Sequence, residues 1–313
     1  MTKLTMLVGL PASGKSTLAK KLAERDGAII LSSDAIRAEL YGDESVQGDP
    51  AKVFRIMKER AVHALNEGKD VVYDATNINA KKRTALLKEL RSQVSNLWAE
   101  CMMVLCPYGI CLMRNRARDR VVPEEAIERM LHNFQVPYFN EGWDAIFVEN
   151  TGGMLSMIEL VDVAEDFEQC NHYHSLLLGE HLEKTAKTAK SLAFVKGKQA
   201  QLVYQAGLYH DIGKLFTQAF HDKNGNPGED AHYFGHANVS TYYYLTSDAA
   251  HYAKQYLGLD YLLTIAFLIN WHMDCYQFKQ DKAKFDEWAE KRNLDEAERD
   301  MLWILHSADR SAH

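Results

Sequence analysis

Residues 9–16, Gly9-Leu10-Pro11-Ala12-Ser13-Gly14-Lys15-Ser16, decide how the first half of the chain reads. They match G-x-x-x-x-G-K-[ST], a phosphate-binding loop. The glycines let the backbone curl so that several N–H groups face one anion. A helix starting at Lys15 adds its positive N-terminal end. Lys15 then reaches the outer phosphates of a nucleotide, and Ser16 holds Mg²⁺. Gly9, Ser13, Gly14, Lys15, Ser16 and Thr17 are the expected nucleotide contacts, with ATP and Mg²⁺ as cofactors. A plain glycine-rich turn is the alternative. The flanks argue against it, since residues 4–8 read as a short buried strand and residues 15–25 as a helix.

Working outward, residues 28–31, 70–74, 98–105 and 145–148 read as further strands. Helical stretches at about 50–66, 80–90, 108–116 and 123–133 separate them. Strands alternating with helices predict an α/β fold, a parallel sheet with helices on both faces. After Asn150 the character changes. Thr151-Gly152-Gly153 is a turn, and helices follow almost exclusively, with a loop over residues 222–229. Eleven of the thirteen histidines fall after residue 170. The expected organisation is a P-loop domain at 1–150, a linker or closing helix at 151–166, and an all-α domain at 167–313.

Composition bounds the rest. A chain of 313 residues is long enough for two cores, and 47% hydrophobic with 25% charged residues is ordinary for a globular protein. No apolar run is long enough to span a bilayer. No signal-peptide cleavage site precedes the loop, and the five cysteines form no C-x-x-C pair, so reduced thiols in a cytoplasmic protein are expected. The net charge of −7 excludes a global basic field for nucleic acid. Two local clusters remain: Arg114, Arg116, Arg118 and Arg120, and Lys81, Lys82, Arg83, Lys88 and Arg91. Each is either a phosphate-binding patch or a solvated helix face.

Residues beyond the loop favour phosphoryl transfer. Asp34 and Arg37 follow the second strand with a spacing of three, which places them on one helix face. A carboxylate there can take the proton of an attacking hydroxyl, and the arginine can clamp a substrate phosphate. Asp34 as a first-turn residue behind a serine N-cap is the structural alternative. Asp74 ends the third strand, where open α/β sheets bind ligands. It can order Mg²⁺ water or pair with Arg37. The arginines before Pro123 suit a lid that neutralises transferred charge.

The second half suggests a metal. His-Asp occurs at His210-Asp211, ending a helical run, and at His221-Asp222, entering a Gly/Pro/Asn loop. The first pair is the expected ligand pair. His181 on a helix and Asp309, which shares a face with Leu305, complete two imidazoles and two carboxylates. That set suits Mn, Fe, Co, Ni or Zn as catalytic metal, with Asp211 central to the chemistry. Such a metal makes a nucleophile of water at neutral pH.

Two resemblances sharpen this. Residues 1–150 resemble the kinase domain of bacteriophage polynucleotide 5′-kinase, through the loop, Asp34 with Arg37, Asp74-Ala75-Thr76-Asn77-Ile78-Asn79, and Arg114-Asn115 through Arg118 to Val122-Pro123. The resemblance implies Asp34 as general base for a 5′-hydroxyl, Arg37 on the acceptor strand and Arg118 on the ATP phosphates. Residues from about 167 onward resemble the HD phosphohydrolase superfamily in the order His181, His210-Asp211, Asp309. Asn171-His172-Tyr173-His174-Ser175 and Phe234-Gly235-His236-Ala237 are similar to HD domains attached to tRNA nucleotidyltransferases. Two-metal members imply His236 and His272 as further ligands. His174 and Lys214 then fit substrate phosphate, while His172 and His232 stay open.

Together these imply a bifunctional end-healing enzyme. It would phosphorylate 5′-OH ends of RNA or DNA and remove a 3′-phosphate or 2′,3′-cyclic phosphate, leaving ends for a downstream ligase. A small-molecule or nucleoside kinase fused to a nucleotide phosphohydrolase is the alternative. An ATP-binding regulator is a third reading, disfavoured by the intact catalytic set.

Overall fold

β1 (Thr2–Val8) is a run of apolar residues buried from Leu4 to Val8, and it delivers the chain directly into the glycine-rich loop. The structure is a computed structural model and describes residues 1–172, 174–192 and 197–312. Tyr173, quoted above within a motif, lies outside the described residues. The chain forms two units, one of Met1–Met130 with Pro137–Gly153, the other of Leu131–Val136 with Met154–His313.

In the first unit α1 (Lys15–Asp26) follows the loop, then β2 (Ile29–Ser32), α2 (Ser33–Tyr41), α3 (Pro50–Asn66), β3 (Val71–Asp74), α4 (Ala80–Gln93), β4 (Leu97–Leu105), α5 (Tyr108–Arg116), α6 (Glu124–His132, its last two residues counted with the second unit) and β5 (Ala145–Asn150). The strands form one sheet in the order β2-β3-β1-β4-β5. Every pairing is parallel. β1 is central, so the loop at its carboxyl end is flanked by the ends of β3 and β4. Leu7, Ala19, Leu22 and Val72 pack α1 onto the sheet and fix the angle at which the helix leaves the loop. The α/β expectation for this half holds, with ends shifted by a few residues at most, as helix and strand ends commonly are.

The second unit is built from α7 (Met157–Glu165), α8 (Leu178–Ser191), α9 (Lys198–Tyr209), α10 (His236–Leu245), α11 (Asp248–Tyr252), α12 (Leu259–Trp271), α13 (Lys282–Glu290) and α14 (Glu296–Arg310). α12 is apolar on nearly every side and forms the centre, its buried run extending from Leu262 to Ile269 apart from Thr264. Asp295 and Glu298 cap α14 reciprocally, each carboxylate accepting from the other's backbone N–H. One expectation needs correction. The region is not helical throughout, because β6 (Gln218–His221) and β7 (Pro227–Tyr233) form an antiparallel hairpin. The loop read at 222–229 is its turn plus the start of β7. Asp222 holds that turn, accepting from the N–H groups of Asn224 at 2.8 Å and Asn226 at 2.9 Å.

Candidate functional site

The loop backbone is forced into its cradle shape. Gly14 has φ 99°, a left-handed value that favours glycine. A Cβ on Gly9 would lie 2.3 Å from the Val104 carbonyl oxygen, so no larger residue fits between β1 and β4. Lys15 is buried, and its Nζ donates to the carbonyls of Gly9 at 3.0 Å and Leu10 at 2.7 Å. Burial pulls its pKa down to about 8. Asp74 sits beside it with a hydrogen bond from Ser16. Burial pushes the Asp74 carboxyl up, while Lys15 and Ser16 draw it back. Ser16 and Asp74 thus form a hydroxyl–carboxylate pair of the kind that holds Mg²⁺ against phosphate.

These groups line a cleft of about 720 Å³ that also contains Asp34, Arg37, Arg118 and Arg120. Ser32 caps α2, its Oγ accepting from the N–H groups of Asp34 and Ala35. The cap and the cleft-facing carboxylate therefore coexist. Arg37 Nη1 lies 2.8 Å from Asp34 Oδ1, and Arg120 Nη1 lies 2.7 Å from Asp34 Oδ2. Arg37 pairs with Asp34 and leaves Asp74 to Ser16. Its buried Nε has no hydrogen-bond partner.

The two basic clusters divide. Arg118 and Arg120 line the cleft, while Arg116 pairs with Glu124 at the surface at 2.6 Å. Arg114 is a brace, with Nη2 donating to the Thr151 carbonyl at 2.5 Å and Nη1 to Thr151 Oγ1 at 3.1 Å. Thr151 Oγ1 in turn donates to the Ser13 carbonyl in the loop at 2.6 Å. In the second cluster Arg83 is no surface cation. It turns inward to a bidentate pair with Glu141, the two side chains 1% and 4% exposed.

In the second unit, close helix packing assembles the histidines. A Cβ on Gly207 would lie 2.8 Å from Ala186 Cα, so glycine lets α9 approach α8. His181 Nε2 and His210 Nε2 are then 3.3 Å apart. Asp309 Oδ1 lies 3.2 Å from His181 Nε2 and 3.4 Å from His210 Nε2. Asp211 Oδ2 joins them at 3.4 and 3.5 Å. The other oxygen, Asp211 Oδ1, faces His236 Nε2 at 3.1 Å and His272 Nε2 at 3.3 Å. One carboxylate thus serves two ligand groups, His181–His210–Asp211–Asp309 and Asp211–His236–His272, all buried.

The donor chemistry fits divalent metal. The Nδ1 atoms of His210, His236 and His272 each face a carbonyl three residues earlier, at 2.9, 2.8 and 2.8 Å. His181 Nδ1 faces the Ala312 carbonyl at 3.4 Å. A carbonyl only accepts, so each ring keeps a proton on Nδ1 and turns Nε2 toward the cluster, where it can ligate once that nitrogen carries no proton. Asp211 Oδ1, His236 Nε2 and His272 Nε2 are buried without hydrogen-bond partners, which costs stability unless a cation meets them. Burial opposes charge on Asp211 and Asp309, yet Lys214 and His210 hold Asp211, and His210 and His181 hold Asp309, well below the ordinary carboxylate range. His181 responds in the opposite sense: against burial, these carboxylates raise its pKa to about 9.

Comparison with known proteins agrees with both halves. Residues 4–137 match the family model described as AAA domain, and residues 178–298 the one described as HD domain. The chain is a P-loop kinase domain followed by an HD domain. Over 148 residues, 45% of the chain, it is 30% identical to L-seryl-tRNA(Sec) kinase of Methanococcus maripaludis. It spans 56% of that protein's length, about half. Among solved structures, a gluconokinase from Sinorhizobium meliloti is 18% identical with TM-score 0.33, over 47% of this chain and 81% of that one. A chain of the Pnkp1/Rnl/Hen1 complex is 18% identical with TM-score 0.29, over 59% and 66%.

Within the HD domain, Lys214 is buried beside the first ligand group. Its Nζ lies 2.6 Å from Asp211 Oδ2, 2.7 Å from Gln169 Oε1 and 3.1 Å from His174 Nε2. Lys214 and His174 thus meet at the cluster. His172 is exposed and pairs with Asp230 at 2.7 Å. His232 is exposed and stacks on Phe234. His221 ends β6, and Asp222 opens the hairpin turn. The sequence reading did not single out Arg120 by itself, Thr151 or Gln169, whose contacts come from residues distant in the chain. Among the described residues no helix is long and apolar enough to cross a membrane.

Proposed function

We propose that the chain is a bifunctional end-healing enzyme acting on RNA or DNA. The kinase domain phosphorylates a 5′-hydroxyl, and the HD domain clears a 3′-phosphate or 2′,3′-cyclic phosphate. One observation carries the kinase half: Asp34 stands between Arg37 and Arg120 in the same cleft as Lys15, Ser16 and Asp74. A proton acceptor flanked by guanidinium groups suits a hydroxyl whose neighbours are anionic, as at a polynucleotide end. The similarity to a kinase named for a tRNA-borne substrate points the same way.

The loop amides and Lys15 hold the outer phosphates of ATP, and Ser16 with Asp74 holds Mg²⁺. Asp34 takes the proton of the 5′-hydroxyl as its oxygen attacks the γ-phosphorus. The bond to the β-phosphate oxygen breaks and ADP leaves. Arg118 neutralises the charge on the transferred group. In the HD domain, His181, His210, Asp211 and Asp309 hold one divalent metal, and Asp211, His236 and His272 a second. Bound there, metal supplies Lewis acidity and a water of lowered pKa. Lys214 and His174 orient the phosphate ester, and the buried walls keep bulk water from the cluster. The products, a 5′-phosphate and a 3′-hydroxyl, suit a ligase.

The test is incubation of RNA and DNA oligonucleotides bearing 5′-OH and 3′-phosphate ends with ATP, Mg²⁺ and Mn²⁺, Ni²⁺ or Co²⁺. Asp34→Ala should lose only 5′ labelling and Asp211→Ala only phosphate release. Neither reaction on any strand, with turnover of a small hydroxylated metabolite instead, would replace this reading by the small-molecule alternative.

A further inference from the structure

The two carboxylates of the HD cluster are used differently. Asp211 gives one oxygen to each ligand group. Asp309 gives only Oδ1, because its Oδ2 accepts a hydrogen bond from Tyr276 Oη at 2.7 Å. Tyr276 lies in the short turn His272–Phe278, four residues after a ligand of the other group. Its ring is locked by His306, edge to face at 4.6 Å. His306 is itself tied by Nε2 to the Lys279 carbonyl at 3.1 Å. The hydroxyl therefore has little freedom to leave Asp309.

We infer that Tyr276 is a positioning residue that makes Asp309 a one-oxygen ligand of the first metal group. With Oδ2 occupied, the carboxylate cannot turn to chelate through both oxygens. A ligating carboxylate commonly depends on such an outer hydrogen bond, and its loss costs about 10–100-fold in metal affinity. The inference rests on reading the cluster as a metal centre.

Cobalt(II) alone is the probe, because its visible absorption reports coordination number and geometry. Tyr276→Phe keeps the ring packed on His306 and removes only the hydroxyl. The full chain, its variant and His236→Ala, which cripples the second group, are titrated with Co²⁺ and competed with a chelator. Circular dichroism checks folding. Tyr276→Phe should weaken one Co²⁺ site by about 10–100-fold, the site that survives in His236→Ala. The absorptivity of that site should fall as Asp309 becomes bidentate. The other site should not change. Unaltered affinity and spectrum at the first site would overturn the inference, as would equal weakening of both sites. A parent protein that binds no cobalt would instead overturn the metal reading itself.

Discussion

Arg120 Nη1 stands 2.7 Å from Asp34 Oδ2, on the carboxylate oxygen that Arg37 leaves free. Asp34 is thus held at both oxygens and must release one to accept a proton. Arg120 has a second carboxylate within reach, Glu44 at 3.7 Å, so it can move without losing all pairing. Asp34→Asn should reduce 5′ phosphorylation by about 10²–10⁴-fold, the usual size of a general-base contribution. ATP affinity should be unchanged. Arg120→Ala should raise KM for the oligonucleotide more than it lowers kcat. Equal activity of Asp34→Asn and the parent would remove the proton-acceptor role.

Lys15 gives the kinase domain a pH signature. Burial lowers its pKa from 10.5 to about 8. The charged form therefore costs stability below pH 8, and that cost fades as pH rises from about 8 toward the unfolded value. ATP reverses the preference, because phosphates favour the ammonium. Binding should take up almost no proton near pH 6.5 and approach one proton near pH 9. Apparent ATP affinity should fall up to about tenfold per pH unit above 8. Calorimetry in two buffers of different ionisation enthalpy measures the uptake, and Lys15→Met should abolish it.

The sequence displayed the phosphate loop because eight contiguous residues carry its chemistry. The first ligand group was legible in the order His181, His210-Asp211, Asp309, and His236 and His272 only through resemblance. The hairpin was hidden because β6 has four residues without alternating polarity. Thr151 and Gln169 were hidden because each acts through a partner far away in the chain, Ser13 or Lys214. Arg83 was readable after all. Arg83, Leu87 and Leu90 fall at helical spacing i, i+4, i+7 and form the buried face of α4, so the run of cations around it concealed one residue facing inward.

That inward arginine should behave as structure. Arg83 donates to both Glu141 oxygens and to the Asn77 carbonyl, and Trp143 Nε1 donates to Glu141 Oε2 at 3.1 Å. Removing one partner strands the other charge in the core, which costs about 3–5 kcal/mol. Arg83→Met should lower the denaturant midpoint of the kinase domain. Oligonucleotide binding by the folded fraction should be unaffected. A variant of parental stability with weakened oligonucleotide binding would restore the surface-patch reading.

Gly213 tests whether the second ligand group depends on close backbone packing. A Cβ there would lie 2.3 Å from the His236 carbonyl oxygen and 2.6 Å from the Ser240 N, both main-chain atoms that cannot swing aside. Ser240 Oγ also accepts from Gly213 N at 2.8 Å, fastening the turn that carries Lys214 to α10. Gly213→Ala should push the start of α10 away and draw His236 Nε2 off Asp211 Oδ1. Gly228 in β7 has nothing within 4 Å of an added Cβ and serves as the control. Metal content, 3′-phosphate release and 5′ labelling are measured on both variants. Gly213→Ala should lose one metal equivalent and most phosphate release while keeping 5′ labelling, and Gly228→Ala should match the parent. Full metal content in Gly213→Ala would mean that the ligand groups tolerate a shift of α10, and that His236 is placed by its own Nδ1 bond to the Tyr233 carbonyl.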